Sequence, residues 1–246
     1  MLIKKLVTYE DMGLVQWGVL DETETGVYGD IALEEAFFTP LPETLLEFIR
    51  QGNEGLLALA DALEQNEKTR AVAAQPLDTV RIMAPIPRVE RNIFCIGKNY
   101  ADHIAEFDKT AMPELPKYPL IFTKATTSVI GPDDLIDPHK NVTSALDYEG
   151  ELAVIIGKEG SDIPVGEAMD YVYGFTILND VTARDLQANQ QSQNQSTEKV
   201  KQNQSPSDET PRWLTNFYTK QVITAMPHPL SDLTWTKHDK RKEIVD

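Results

Sequence analysis

Glu149 and Glu151 stand two residues apart in DYEGELAVIIG, at the head of an apolar run of strand type. Successive side chains of a strand alternate between faces, so both carboxylates project to one side. Gly150 between them leaves the opposite face bare, open to close approach by a ligand or another backbone. Paired carboxylates raise a pKa or cost stability unless something neutralises them, and a divalent cation held by oxygen ligands does so. The plainer alternative is an exposed acidic strand edge.

Two other segments carry groups of the right kind. In YGFTILNDVTARDLQ a hydrophobic run ends in Asn179 and Asp180 and continues to Arg184, Asp185 and Gln187. An acid at a strand end can complete a carboxylate triad; the same Asp180 before VTARDLQ would also suit a helix N-cap. In NYADHIAEF, His103 and Glu106 are three apart and share a helix face, so the carboxylate can orient the imidazole as a general base. A surface histidine beside a helical glutamate would look the same. Cys95, the single cysteine, excludes an internal disulfide and a thiolate cluster, and within IFCIG it reads as a small buried hydrophobe.

The elements that must position these groups follow from pattern. Residues 1 to 39 alternate short apolar runs with turn residues, as in LVQWGVLDETETGVYGDIAL, and predict a small β meander. Leu41, Leu45, Phe48 and Ile49, then Leu56, Leu59, Ala60 and Leu63, recur at helical spacing and predict two helices broken near Gly52. MAPIPRVERN, with Pro85 and Pro87, reads as a linker. Beyond it IFCIG, LIFTK, TSVIG, ELAVIIG and YVYGFTILND are short strands bounded by Gly, Pro, Asn and Asp, with one helix at NYADHIAEF.

Composition sets outer limits. The chain has 246 residues, 41% hydrophobic and 25% charged, enough for a sizeable core in one large or two small domains. A formal net charge of -16 repels a phosphate backbone, which argues against a nucleic-acid partner. No run of some 18 apolar residues and no signal-peptide pattern is present, so neither a membrane partner nor export is expected and the cytoplasm is the expected location.

Taken together and in order, RNIFCIGKNYADHIAEF, PLIFTKATTSVIGPDD, LDYEGELAVIIG and YGFTILNDVTARDLQ closely resemble the catalytic domain of the fumarylacetoacetate hydrolase family over residues 91 to 187. Among its members the resemblance is nearest to bacterial ones with a small N-terminal domain: acylpyruvate or fumarylpyruvate hydrolases, oxaloacetate decarboxylases and hydroxyheptadienedioate isomerases. It implies Glu149, Glu151 and Asp180 as Mg²⁺ or Mn²⁺ ligands, an all-oxygen set suited to hard ions. It implies His103 and Glu106 as the pair that activates water or moves a proton, and Arg184, Gln187 and Lys124 as groups near the substrate. The implied activity is hydrolase or lyase chemistry on C–C bonds of small 2-oxo, acylpyruvate-type carboxylic acids, through an enolate stabilised by the ion. Decarboxylation or isomerisation is the alternative within the same family, and a homodimer is implied where the fold is complete.

Past TARDLQ the sequence departs from that pattern. A GKS-type lysine motif and a TGTPSGVG-like glycine loop are missing, and Lys199 and Lys201 stand near the lysine's place without its context. All 13 glycines fall at or before Gly174, and ANQQSQNQSTEKVKQNQSPSDET is almost free of apolar residues. The expected fold is α+β, mainly β: a small N-terminal α+β domain over 1–88, an incomplete mixed β-sandwich roll over 91–187, and an atypical, disordered or poorly packed tail over 188–246. In that tail PRWLTNFYTKQVITAMPHPLSDLTWTKHDKRKEIVD leaves room for a small docked appendage. A frameshifted or truncated gene product would account for the change, which makes a catalytically inactive metal-binding or dimerising remnant the further alternative.

Overall fold

The computed structural model describes residues 5–97 and 119–189 and the strand at 221–226. The N-terminal part opens with a hairpin of β1 (Leu6–Asp11) and β2 (Leu14–Leu20). Its two-residue loop, Met12 and Gly13, has positive φ at both positions, 49° and 83°, the type I′ geometry whose twist matches the flanking strands. β3 (Gly26–Gly29) extends the meander and leads straight into α1 (Asp30–Phe37). The meander expected through residue 39 thus ends at Gly29, because DIALEEAF is rich in Ala, Leu and Glu, which favour helix.

The helical pattern over 41–67 appears as α2 (Leu45–Thr69), broken at Gly52, whose φ of 56° and ψ of -130° lie outside helical values. Its start is fixed by Thr44, which accepts the Glu47 amide at 3.2 Å. The chain then returns to the sheet as β4 (Gln75–Pro76) and β5 (Arg81–Ile82), two short edge strands not foreseen from the sequence. The five strands lie in the order β4-β3-β2-β1-β5, all neighbouring pairs antiparallel. One face buries Leu6, Trp17 and Val19 against Leu33, Phe48 and Leu59 from the helices.

Met83–Asn92 forms no helix or strand, as its prolines dictate. After it come β6 (Ile93–Gly97) and β7 (Leu120–Lys124), an antiparallel pair. Next are β8 (Val129–Ile130), β9 (Leu146–Asp147), β10 (Gly150–Ile156), β11 (Val172–Asp180) and β12 (Thr182–Ala183). A further strand, β13 (Gln221–Met226), lies antiparallel to β11 and parallel to β8, giving a sheet ordered β10-β11-β13-β8. Here the structure differs from the expected tail at six residues: the β-branched Val222, Ile223 and Thr224 suit a strand, and β11 offers them an edge. The rest of the tail, 190–220 and 227–246, lies outside the described residues.

The two parts touch. The Thr8 hydroxyl donates to the Pro85 carbonyl at 2.7 Å, Arg81 pairs with Asp134 at 2.5 Å, and Ile155 and Tyr173 pack against the N-terminal core. Among the described residues no helix is long and apolar enough to cross a membrane.

Candidate functional site

The registry of β10 on β11 sets Gly150 opposite Asn179 and Glu151 opposite Leu178, which leaves Glu149 opposite Asp180. The Asp180 amide donates to the Glu149 carbonyl at 2.7 Å, and the Asn179 side chain accepts the Glu149 amide at 3.0 Å. Directly opposed residues of an antiparallel pair share a face, so Glu149, Glu151 and Asp180 all project from the same side of the two strands. The pairing of Glu149 with Glu151 is the one read from the period of two. Asp180 ends a strand, and the helix after it begins only at Arg184, so Asp180 is not an N-cap.

Asp180 is buried, and so is Lys124 at the end of β7. Their contact, Lys124 Nζ to Asp180 Oδ1, is 2.5 Å, with both side chains under a tenth exposed. It is an ion pair between two buried groups. The lysine Nζ also lies 5.4 Å from the centre of the Phe122 ring. Lys124, expected near the substrate, therefore lies against an expected metal ligand.

Arg184 is committed in the same way. Its Nε donates to Asp147 at 2.9 Å, its Nη1 pairs with Glu149, and the same nitrogen donates to the Gln187 side-chain carbonyl at 3.2 Å. Burial works against this charge, but the hydrogen bond to Asp147 and the charges of Glu149 and Asp147 outweigh it and push the guanidinium above its ordinary value. Arg184 and Gln187 are thus brought together, with the guanidinium fork already engaged by carboxylates. Asp185, in the same motif, accepts the Thr143 hydroxyl at 2.6 Å, and that bond first of all holds its carboxyl below the usual range.

Asp147 had no role in the sequence reading. The signal was present, because Asp147, Glu149 and Glu151 continue one period of two in DYEGE. Cys95, expected as a small buried hydrophobe, is only partly buried. It is half-buried on the same face of β6–β7 as Lys124, and burial, then the charges of Asp180, Glu151 and Glu149 against that of Lys124, raise its thiol to about 11. At neutral pH it is a protonated thiol and no nucleophile. His103 and Glu106 lie outside the described residues.

Whether these groups fit a divalent cation is a matter of charge and approach. Among the described residues Asp147, Glu149, Glu151 and Asp180 make four carboxylates against the two cations Lys124 and Arg184, leaving a formal -2 in this cluster. A hard divalent ion matches that charge and the all-oxygen donors. Among the described residues, however, no three His, Cys, Asp or Glu groups are gathered as a ready-made ligand set. The donors share a face, and lysine and arginine hold two of them. Gly150 is exposed, and among the described residues a methyl group placed on it would meet nothing within 4 Å, so none of their backbone makes the close approach that its bare face was expected to allow to a backbone or a ligand.

Comparison with known proteins agrees with this architecture. The family described as "Fumarylacetoacetate (FAA) hydrolase C-terminal" matches residues 92–207. The chain is 43% identical to the oxaloacetate tautomerase YisK of Bacillus subtilis over 150 residues, 60% of this chain and 49% of that protein. It is 40% identical to the human mitochondrial oxaloacetate tautomerase FAHD2A over 169 residues, 67% of this chain and 49% of that one. The chain therefore spans about half the length of these curated relatives. Among solved structures, a fumarylacetoacetate hydrolase from psychrophilic Exiguobacterium antarcticum superposes with a TM-score of 0.52 at 34% identity, over 76% of this chain and 59% of that one. A maleylpyruvate hydrolase from Sphingobium sp. SYK-6, in complex with manganese(II) and pyruvate, gives 0.59 at 18% identity, over 94% and 69%, a likeness of fold.

Proposed function

Because residues 92–207 belong to the fumarylacetoacetate hydrolase family, we propose that this chain binds Mg²⁺ or Mn²⁺ through Glu149, Glu151 and Asp180 and acts on small 2-oxo or enol carboxylic acids. The observation that carries the reading is the clustering of these carboxylates about β10 and β11, which together with Asp147 leave a formal -2 among the described residues after Lys124 and Arg184 are counted. When bound, the ion supplies a Lewis acid for the negative charge that develops on a substrate oxygen.

The chain's own groups supply the rest. Asp147 and Glu149 orient Arg184, and Gln187 extends from it to the exposed side, so a guanidinium and an amide stand together where a substrate carboxylate can be recognised. His103, which the sequence sets three residues before Glu106, is the residue we assign to proton transfer: from the carbon beside the 2-oxo group in keto–enol exchange, or from water in C–C bond hydrolysis. Oxaloacetate tautomerisation is the first reaction to test, since the Bacillus subtilis and human relatives described above carry that name; acylpyruvate hydrolysis and oxaloacetate decarboxylation are the next. Residues 188–246 do not supply the family's lysine motif or glycine loop, and turnover is expected to be low for that reason.

Mn²⁺ titration calorimetry of the full chain, beside decay of enol-oxaloacetate absorbance with and without EDTA, tests the proposal. Binding that is lost in Glu151→Gln, with EDTA-sensitive decay that is lost in His103→Ala while Mn²⁺ affinity is kept, is the expected result. Equal Mn²⁺ affinity in wild type and Glu151→Gln sinks the ligand assignment, and loss of Mn²⁺ binding in His103→Ala would make that residue a ligand.

A further inference from the structure

Lys124 is placed oddly for a residue that only meets substrate. Its ammonium lies 2.5 Å from Asp180 Oδ1 with both side chains over nine-tenths buried, the most enclosed ion pair among the described residues. Arg184, by contrast, keeps about a quarter of its side chain exposed and divides its charge between Asp147 and Glu149. A buried carboxylate needs a partner of opposite charge, and two cations on one carboxylate face repel strongly in a poorly polarisable interior. At 2.5 Å between two buried side chains, attraction between ammonium and carboxylate holds Lys124 there. Its ammonium also lies 5.4 Å from the Phe122 ring centre, and its flexible four-carbon stem can re-aim that charge.

We propose that Lys124 is an internal counter-ion: it holds the seat at Asp180 in the metal-free chain and yields it when a divalent cation enters. The inference rests on the ligand reading of the preceding subsection. It makes Lys124 a positioning residue whose first partner is a cation ligand, and it accounts for carboxylates that share a face yet are not gathered into a ligand set. Metal entry then becomes an exchange of one positive charge for another, so Asp180 is never left buried and unpaired.

The test compares the full-length wild-type chain with Lys124→Met, which keeps the stem volume, and Lys124→Arg, which keeps the charge, using Mn²⁺ calorimetry and thermal melts in EDTA and in Mn²⁺. Lys124→Met is expected to bind Mn²⁺ roughly tenfold more tightly. It should also melt lower than wild type in EDTA and gain more from Mn²⁺, while Lys124→Arg stays near wild-type affinity. Mn²⁺ binding by Lys124→Met alone would overturn the exchange, because the ammonium of the wild-type chain then never yields its place. Unchanged or weaker affinity in Lys124→Met overturns the inference and leaves the ligand reading intact, whereas no Mn²⁺ binding by any of the three chains overturns both. Should Lys124→Met fail to fold even when Mn²⁺ is supplied throughout, the inference also falls, because the ion is then no substitute for the ammonium.

Discussion

The two ends of the described fold put their apolar and charged residues in opposite places. In the N-terminal sheet the large apolar side chains point inward: Trp17 and Phe48 are almost completely buried with ring centres 4.4 Å apart, and Leu33 and Leu59 close around them. Around the carboxylate face Asp180 and Lys124 occupy the interior, while Phe94, Ile96, Leu152 and Ile156 are exposed on the outer faces of β6 and β10. Burial of apolar area is the main driving force of folding, and buried ion pairs rarely add to it. Stability should thus be concentrated in the first region, and chemistry in the second.

The largest expected effect tests that division directly. Phe48→Ala should cost about 3 to 5 kcal/mol in urea unfolding, since it leaves a cavity beside Trp17. Phe94, 70% exposed, should tolerate Ala within about 0.5 kcal/mol. Similar losses for the two would break the comparison.

Glycines sharpen it further. A Cβ on Gly18 would stand 2.3 Å from the Tyr28 carbonyl oxygen, so Gly18→Ala must push β2 from β3 at a cost of about 1 to 3 kcal/mol. Gly150, with open space around it, should accept Ala with little change in the midpoint of the same urea curve.

A smaller effect separates the regions by pH. Burial first, with the Glu34 charge adding to it, raises the Asp30 carboxyl to about 6, although its oxygen accepts the Trp17 amide at 3.2 Å. The folded state then binds a proton that the unfolded chain has released, so stability falls as pH rises from about 4 to 6 and the loss is complete above that window. Asp30→Asn keeps the acceptor and should flatten this slope, gaining on the order of 2 kcal/mol at pH 7 in melts followed by Trp fluorescence. Near the site the sign reverses, because the depressed Asp185 carboxyl contributes above its unfolded value and loses that contribution as pH falls through its folded one. An Asp30→Asn slope equal to that of wild type would remove Asp30 from the account.

Much of this was legible in local pattern. The strands at Ile93–Gly97, Leu120–Lys124, Gly150–Ile156 and Val172–Asp180 follow from β-branched runs, and the break at Gly52 from glycine in a helical period. Arg81–Ile82 and Gln75–Pro76 were not legible, because two-residue strands exist only where a neighbouring edge accepts them. Asp30 shows the same limit: as the first residue of α1 it suits the helix dipole, but nothing local to it says that the sheet will bury it.

By itself the sequence determined that Glu149 and Glu151 share a face, since that depends only on the alternation of side chains along a strand. It also carried the wording that ties residues 92–207 to one family. Only the tertiary structure decided that the Asp180 amide meets the Glu149 carbonyl, that Lys124 reaches Asp180 from a different strand pair, and that Asp147 and Glu149 together hold Arg184. Those partners are far apart along the chain, and register, strand order and burial choose among many carboxylates and cations that local sequence leaves equivalent.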